Sequence, residues 1–417
     1  MKKSFSLIAG LLLASTSATL QAQCLKVYSS ADKMVAVYPL SEVGRMPFSY
    51  DKEDGYTLNI AGIDCNLSMV DSITVDLNET YSPHTITIDY NDLSGAWMSV
   101  SSDLLFGLSD FNVNGNHVSV IASDDVDEEI NYILRGQSSN GSFYMDGKYK
   151  ATLTLDGVSL TNPDSAAICI ENGKRINVDI TDGTVNTLVD GPNGTQKACF
   201  FINGHAEIKG SGMLNITGRA RHAYASDEYT LLKPSVGTIN ILSSANDGLH
   251  IGQYLEMNGG TVNVNNVKGD CVDVSMTKDA TDENNGWVFV NGGTLNMAVT
   301  SEDVKGLKSE ASMTIQGGTI QATVAGNGCK GISVGGDLVI DQAEGAKTDI
   351  EMDVTGTTYT DPTDETNTSK CRGIKVKGNY TLKGGNIHMN VTGKKAKGIS
   401  IDGKYTYEGG TTNVIPE

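Results

Sequence analysis

The chain has 417 residues, a formal net charge of −19 and a pI near 4.7. That balance argues against nucleic acid and anionic membrane surfaces as partners unless a cation bridges the charges. With 47 Gly, 8 Pro and only 6 % aromatic residues, the composition suits a turn-rich β fold and not a disordered chain.

Residues 1–22 read as a secretory signal: Lys2 and Lys3, an apolar run from Leu7 to Leu13, then small residues up to Ala22. This places the protein in the secreted or cell-surface class. A lipoprotein reading, with Cys24 as the lipidated residue, is the minor alternative, because Gln23 stands where a small residue is needed. No other apolar run is long enough to cross a bilayer. Residues 23–108 alternate in short strand-like phrases such as LKVYSS, MVAVYPL, YTLNIAG and HTITIDY, and predict a small β domain or cap.

Seven cysteines without close CxxC pairs exclude a thiolate zinc site. Cys169, Cys199, Cys271, Cys329 and Cys371 sit in or beside apolar strand phrases and read as small buried hydrophobes. Cys24 and Cys65 could pair in an oxidising compartment, which spacing alone leaves open.

From residue 109 to 417 one phrase keeps returning. It reads GTINILSSAND at Gly237, GGTVNVNNVKGD at Gly259, GGTLNMAVTSED at Gly292, GGTIQATVAGNG at Gly317 and GGNIHMNVTGKK at Gly384, with a last GG at Gly409. The paired-glycine starts are separated by 33, 25, 67 and 25 residues. Repeats of this size cannot bury their own apolar face and must stack. Alternation at Ile239 and Ile241, Val262 and Val264, and Leu295 and Met297 is the period of a half-buried strand. A propeller blade would need four strands in about 40–50 residues. The pattern therefore predicts short strands stacked in register, an all-β parallel β-helix.

The phrases LTLDGVSLTNPDSAAICIENGKRI, NTLVDG (Asn186 to Gly191), HAEIKGSGMLNITG, SANDGLHI and the later GGT repeats resemble the secreted carbohydrate-binding, right-handed parallel β-helix proteins related to polysaccharide (pectate) lyases. The resemblance covers about residues 110–417. It implies a calcium-binding right-handed solenoid that binds cellulose-like or polygalacturonate-like glycans.

Counting nine positions from Thr238, Thr261 and Thr294 reaches Asp247, Asp270 and Asp303. Stacked strands lie about 4.8 Å apart, and three carboxylates so spaced raise one another's pKa unless a cation neutralises them. Ca2+ fits that need, with Asn246 and Glu302 as further oxygen ligands. The competing reading is a solvated acidic stripe. The resemblance favours calcium through Asp247-Gly248-Leu249, whereas Asp270 and Asp303 lack the following glycine.

A basic-Gly-apolar phrase follows, at Lys305, Lys330, Arg372 and Lys397. Stacked, these would form a cationic strip beside the acidic one, suited to an acidic glycan; the alternative is a solvated edge that blocks strand pairing. Tyr224, Tyr229 and Tyr254 could form a small stacking face, with Tyr254 as the expected ligand contact. The six His, including His205, His222, His250 and His388, fall in different repeats and suggest no triad. The expected function is therefore a non-catalytic polysaccharide-binding protein. Its rivals are a calcium-dependent polysaccharide lyase on the same scaffold and an adhesive surface protein.

Overall fold

A computed structural model describes residues 23–416 except 54, 106, 107 and 125. The secretory signal expected over 1–22 lies outside the described residues. The chain divides into two units, Met1–Pro83 with Ser99–Leu105, and His84–Met98 with Phe106–Glu417.

In the first unit, strand Cys24–Ser29 pairs antiparallel with Met34–Pro39 and with Ser72–Asp76. Phe48–Asp51, Gly55–Ile60 and Ile63–Asn66 form an antiparallel meander. Leu25, Val27, Ala36, Tyr38, Leu58 and Ile60 make its core. Cys24 and Cys65 carry free thiols. The Cys24 Sγ meets the Glu79 carbonyl at 3.5 Å, and the Cys65 Sγ lies 3.6 Å from the Tyr38 hydroxyl.

The second unit has two walls. One is a 12-stranded sheet running from Leu108–Asn114 and Asn116–Ala122 through His222–Ser226, Leu249–Ile251, Val272–Val274, Lys305–Ser309, Lys330–Val334 and Arg372–Val376 to Lys397–Ile401. The first two strands pair antiparallel and the rest parallel. The other wall contains the glycine-led repeats. In it Thr238, Thr261, Thr294, Thr319, Asp349, Asn386 and Thr411 occupy one register position.

Paired glycines turn the long strands. Tyr254–Val264 pairs with Thr230–Leu232 before Gly259-Gly260 and with Thr238–Ser244 after it. The second glycine of each pair is left-handed, with φ of +76° at Gly260, +86° at Gly293 and +87° at Gly318. A Cβ at Gly260 would lie 2.1 Å from Val236 Cγ1, so both conformation and space demand glycine there. On either side of the bend the strand keeps its alternation, burying Leu255, Met257, Val262 and Val264 and turning Glu256, Asn258 and Asn263 outward. The interior lies between the walls: the rings of Tyr132 and Phe143, from opposite walls, are 5.4 Å apart.

The all-β class stands, but the right-handed parallel β-helix solenoid is corrected to a closed, barrel-like all-β body with extra strands. The 12-stranded sheet begins with an antiparallel pair, and the hairpin Tyr359–Asp361/Asp364–Ser369 interrupts the repeats. Strands such as Ala151–Thr161 pair with two successive partners, Ile176–Ile180 and Val185–Val189, so one wall runs on around a bend. Period-two alternation specifies which face is buried and which strand lies alongside. It carries no information about handedness or about how a wall closes, which is where the expectation went beyond the residues.

Cys199, Cys271, Cys329 and Cys371 are fully buried and free, and Cys169 is nearly so. Burial pushes the Cys169 thiol up to about 12 and the Cys329 thiol up to about 11.

Candidate functional site

Two outward faces of the second unit carry chemistry. The first is a charged column on the 12-stranded sheet. The register places His222, Asp247, Asp270, Lys305, Lys330, Arg372 and Lys397 at one position. Three residues on, Ala225, His250, Asp273, Lys308, Ser333 and Lys375 form a second column. The acidic and basic ladders expected side by side are thus one line that changes sign.

Asp303 does not belong to it. From the aligned Thr to this column takes nine residues at Thr238 and Thr261 but eleven at Thr294, Thr319 and Asn386. The later connections are two residues longer, so Lys305 takes the place assigned to Asp303. Asp303 turns aside with φ of +51° and pairs with Lys330 at 3.1 Å. Glu302 accepts a hydrogen bond from Asn327 at 3.3 Å, and Asn246 gives its main-chain carbonyl to the Gly269 N–H at 2.9 Å. Asp247 and Asp270 are consecutive, but the Asp270 N–H already donates to Asp247 Oδ1 at 2.7 Å. The Lys305 N–H donates to Asp270 Oδ1 at 2.8 Å. The five residues assigned to calcium therefore do not converge as an oxygen cage. Among the described residues, the one group of three or more His, Cys, Asp or Glu side chains with donor atoms close enough for an ion is His222, Asp247 and His250.

Electrostatics separates these carboxyls. Burial alone would raise Asp247, but the approach of His222 and His250 outweighs it and holds the carboxyl well below the usual range. His250 is pushed up to about 9 by Asp247 and then Asp273. Burial pushes Asp270 up to about 6, with Lys305 and Lys308 pulling the other way. Lys308 pairs with Asp273 at 2.7 Å and approaches Asp270 at 3.8 Å.

Most of the expected glycan-binding cations are engaged within the protein. Lys305 Nζ donates to the Asp303 carbonyl at 2.8 Å. Lys330 Nζ donates to Asp303, to the Gly328 carbonyl and to the Ser369 hydroxyl. Arg372 is only 8 % exposed, and its Nη1 donates to the carbonyls of Cys371 (2.6 Å) and Lys395 (3.3 Å). Lys397, at the last strand, is exposed.

The second face is aromatic and lies on the other wall. His205, Tyr229, Tyr254 and Trp287 occupy one register position, following Lys150 and Arg175. The rings of His205 and Tyr229 stack at 4.4 Å, and those of Tyr229 and Tyr254 at 4.9 Å. Face-on-face stacking along the column turns ring edges and hydroxyls outward. Phe289 then stands at 82° to Tyr254 and lies nearly parallel to Trp287, at 16° and 5.6 Å. A stacked Trp287–Phe289 pair thus stands across the end of the tyrosine stack. Polar groups border it: Tyr229 donates to Glu207 at 3.2 Å, Lys233 holds Glu207 at 2.8 Å, and Glu256 accepts from Asn258 at 2.9 Å. Tyr224, expected on this face, is 2 % exposed and points inward, with its hydroxyl 2.9 Å from Thr230 Oγ1.

Beyond the glycine bend the same wall carries an amide ladder, Asn215, Asn240, Asn263 and Asn296, joined at 2.8, 2.7 and 2.7 Å. Asn263, Asn296, Gln321, Glu351 and His388 line an open groove of about 520 Å³.

Residues 114–416 match the family described as carbohydrate-binding domain-containing protein. The chain belongs to that family. A relative from Acetivibrio thermocellus, described in the same words, is 29 % identical over 118 residues, covering 25 % of this chain. The match spans 41 % of that relative's length. A solved structure, the polysaccharide lyase-like protein from C. thermocellum as a gadolinium derivative, is 18 % identical and aligns over 80 % of this chain and 96 % of its own, with a TM-score of 0.40. No helix among the described residues is long and apolar enough to cross a membrane.

Trp287, Phe289 and the approach of His222 to His250 were not legible as sites. Trp287 follows a longer connection: the step from Tyr254 to Trp287 is 33 residues where that from Tyr229 to Tyr254 is 25. A signal was nevertheless there: Tyr254 and Trp287 each stand five residues before a GG pair.

Proposed function

We propose that this protein binds a polysaccharide along the aromatic column, with the Trp287–Phe289 pair receiving the apolar face of a sugar ring. Tyr229, Tyr254, Glu207 and Glu256 border it and would engage sugar hydroxyls. The observation that carries this reading is the turn in ring orientation between Tyr254 and Phe289, which sets a half-buried Trp287–Phe289 stack across the tyrosine column. Aromatic rings offer large contact area with few rotamers to freeze, and pair well with ligands that have one apolar face and a polar rim. The charged column supports an acidic ligand less well, since Lys305, Lys330 and Arg372 already spend their donors on the protein.

Trp287 is one of two tryptophans, so its fluorescence reports occupancy. The full chain is titrated with a soluble cellulose-type glucan and with polygalacturonate, each with and without calcium, by fluorescence and calorimetry. The expected result is saturable quenching by at least one polymer, weakened about tenfold or more by Trp287→Ala. Absence of binding to either polymer, or unchanged affinity in the variant, removes the aromatic face as the site. New unsaturated sugar ends would show turnover in place of binding alone.

A further inference from the structure

We propose that His222, Asp247 and His250 form a binding site for a divalent transition cation of the zinc class, clamping two neighbouring strands of the 12-stranded sheet. The site is on the charged column and does not depend on where the sugar binds. His222 opens the strand His222–Ser226. Asp247 occupies the same register position one repeat later, and His250 lies in the middle of Leu249–Ile251, facing outward between two buried neighbours.

The donor geometry is that of ligands around one ion. His222 Nδ1 is 3.1 Å from Asp247 Oδ2, and His250 Nδ1 is 3.3 Å from the same oxygen. All three donor atoms lie within 4.8 Å of one another. A tetrahedral centre with bonds of about 2.0–2.1 Å sets its donors roughly 3.3 Å apart. The two rings are stacked at 4.4 Å and 20°, with both Nδ1 atoms turned toward Asp247.

Ion pairing holds His250 between Asp247 and Asp273 but leaves the ring nitrogens poorly aligned. The separations are short enough for ion pairs, yet neither His222 Nδ1 nor His250 Nδ1 makes a well-formed hydrogen bond. His222 is only 5 % exposed, so its ring nitrogen has no water to turn to. A buried donor or acceptor left in that state costs about 1–3 kcal/mol. Here two such nitrogens aim at one carboxylate oxygen. The other oxygen, Oδ1, is fixed by the Asp270 N–H, which orients the carboxylate and leaves Oδ2 toward the rings. Asp273 Oδ2, 2.9 Å from His250 Nδ1, lies outside this group of three, so a water would complete a tetrahedral set. Imidazole nitrogens select zinc, copper or nickel over calcium, whose ligands are oxygens.

The test uses the full chain, stripped with chelator and dialysed. Zn2+ is titrated by calorimetry, and Co2+ by visible absorption, whose band intensity separates tetrahedral from octahedral ligation. One equivalent of Zn2+ should bind, with an intense tetrahedral Co2+ band, and millimolar Ca2+ should displace neither. His250→Gln, at a half-exposed position, should weaken Zn2+ binding at least tenfold in protein shown to be folded by a cooperative unfolding transition in chelator. Absence of stoichiometric Zn2+ binding, an octahedral Co2+ spectrum, displacement by Ca2+, or equal affinity in the folded variant would each overturn the site. Should His250→Gln fail to fold, the wild-type Co2+ spectrum and the Ca2+ competition decide alone.

Discussion

The two outward faces of the second unit obey the same register rule and do opposite things with it. On the 12-stranded sheet, stacking brings titratable groups into line, and they satisfy one another: Lys308 with Asp273, Lys330 with Asp303, and Arg372 with main-chain carbonyls. On the other wall, stacking lines up aromatic rings, which hold one another by contact. Charges in a column are consumed because each charge must find a partner before it can be half-buried. Rings in a column carry no such debt. A repeat fold therefore displays its apolar stacks and hides its ionic ones.

The contrast can be broken most sharply at the bend beside the aromatic column. Gly260→Ala places a side chain at φ of +76° and against Val236, with a Cβ 2.1 Å from its Cγ1. A loss on the order of 2–4 kcal/mol is expected, read as a lower denaturant midpoint. A wild-type midpoint would mean that the bend is not what holds the strand halves apart.

Next comes the division of labour. Trp287→Ala should reduce polysaccharide affinity about tenfold or more with little change in stability, while Lys330→Ala should do the reverse. Its Nζ serves Asp303, Gly328 and Ser369, so about 1–2 kcal/mol of stability should go without loss of affinity. Calorimetric titration beside denaturant unfolding of both variants checks this. Loss of binding in Lys330→Ala would move the ligand to the charged face.

A pH series sharpens the electrostatic half. Burial raises Asp270 from an ordinary 3.8 to about 6, so the folded protein binds its proton more tightly than the unfolded chain does. Stability measured in chelator should therefore fall as pH rises from about 4 to 6, before the separate fall between about 6.5 and 9 that the raised His250 brings. Asp270→Asn should abolish the first fall, and above pH 6 it should be the more stable protein by on the order of 2 kcal/mol. A variant with the wild-type pH profile would show that Asp270 is not the group responsible.

The smallest effect belongs to the amide ladder. Asn263→Ala interrupts the hydrogen bonds from Asn263 to Asn240 and from Asn296 to Asn263. It should cost about 1 kcal/mol in unfolding experiments and leave affinity for the polymer unchanged. A loss of affinity instead would make the 520 Å³ groove part of the binding surface.

Particular residues show where reading the chain sufficed. The paired glycines and the alternation at Val262 and Val264 identified strands, their buried face and their in-register stacking, and Thr238, Thr261, Thr294 and Thr319 do align. Asp303 marks the limit. Counting from a repeat start assumes connections of equal length, and two extra residues between Thr294 and Lys305 move a lysine into the place assigned to a carboxylate. Nor did counting along the repeats reveal that His222 and His250, 28 residues apart, would stack.

The sequence by itself determined that this is an all-β protein built from stacked, glycine-turned strands, because apolar alternation and left-handed turns are local properties of consecutive residues. The tertiary structure decided how the walls close, which charges cancel, that Trp287 continues the tyrosine column, and that two histidines meet one aspartate. Those outcomes depend on connection lengths and on side-chain directions between strands, which local spacing does not encode.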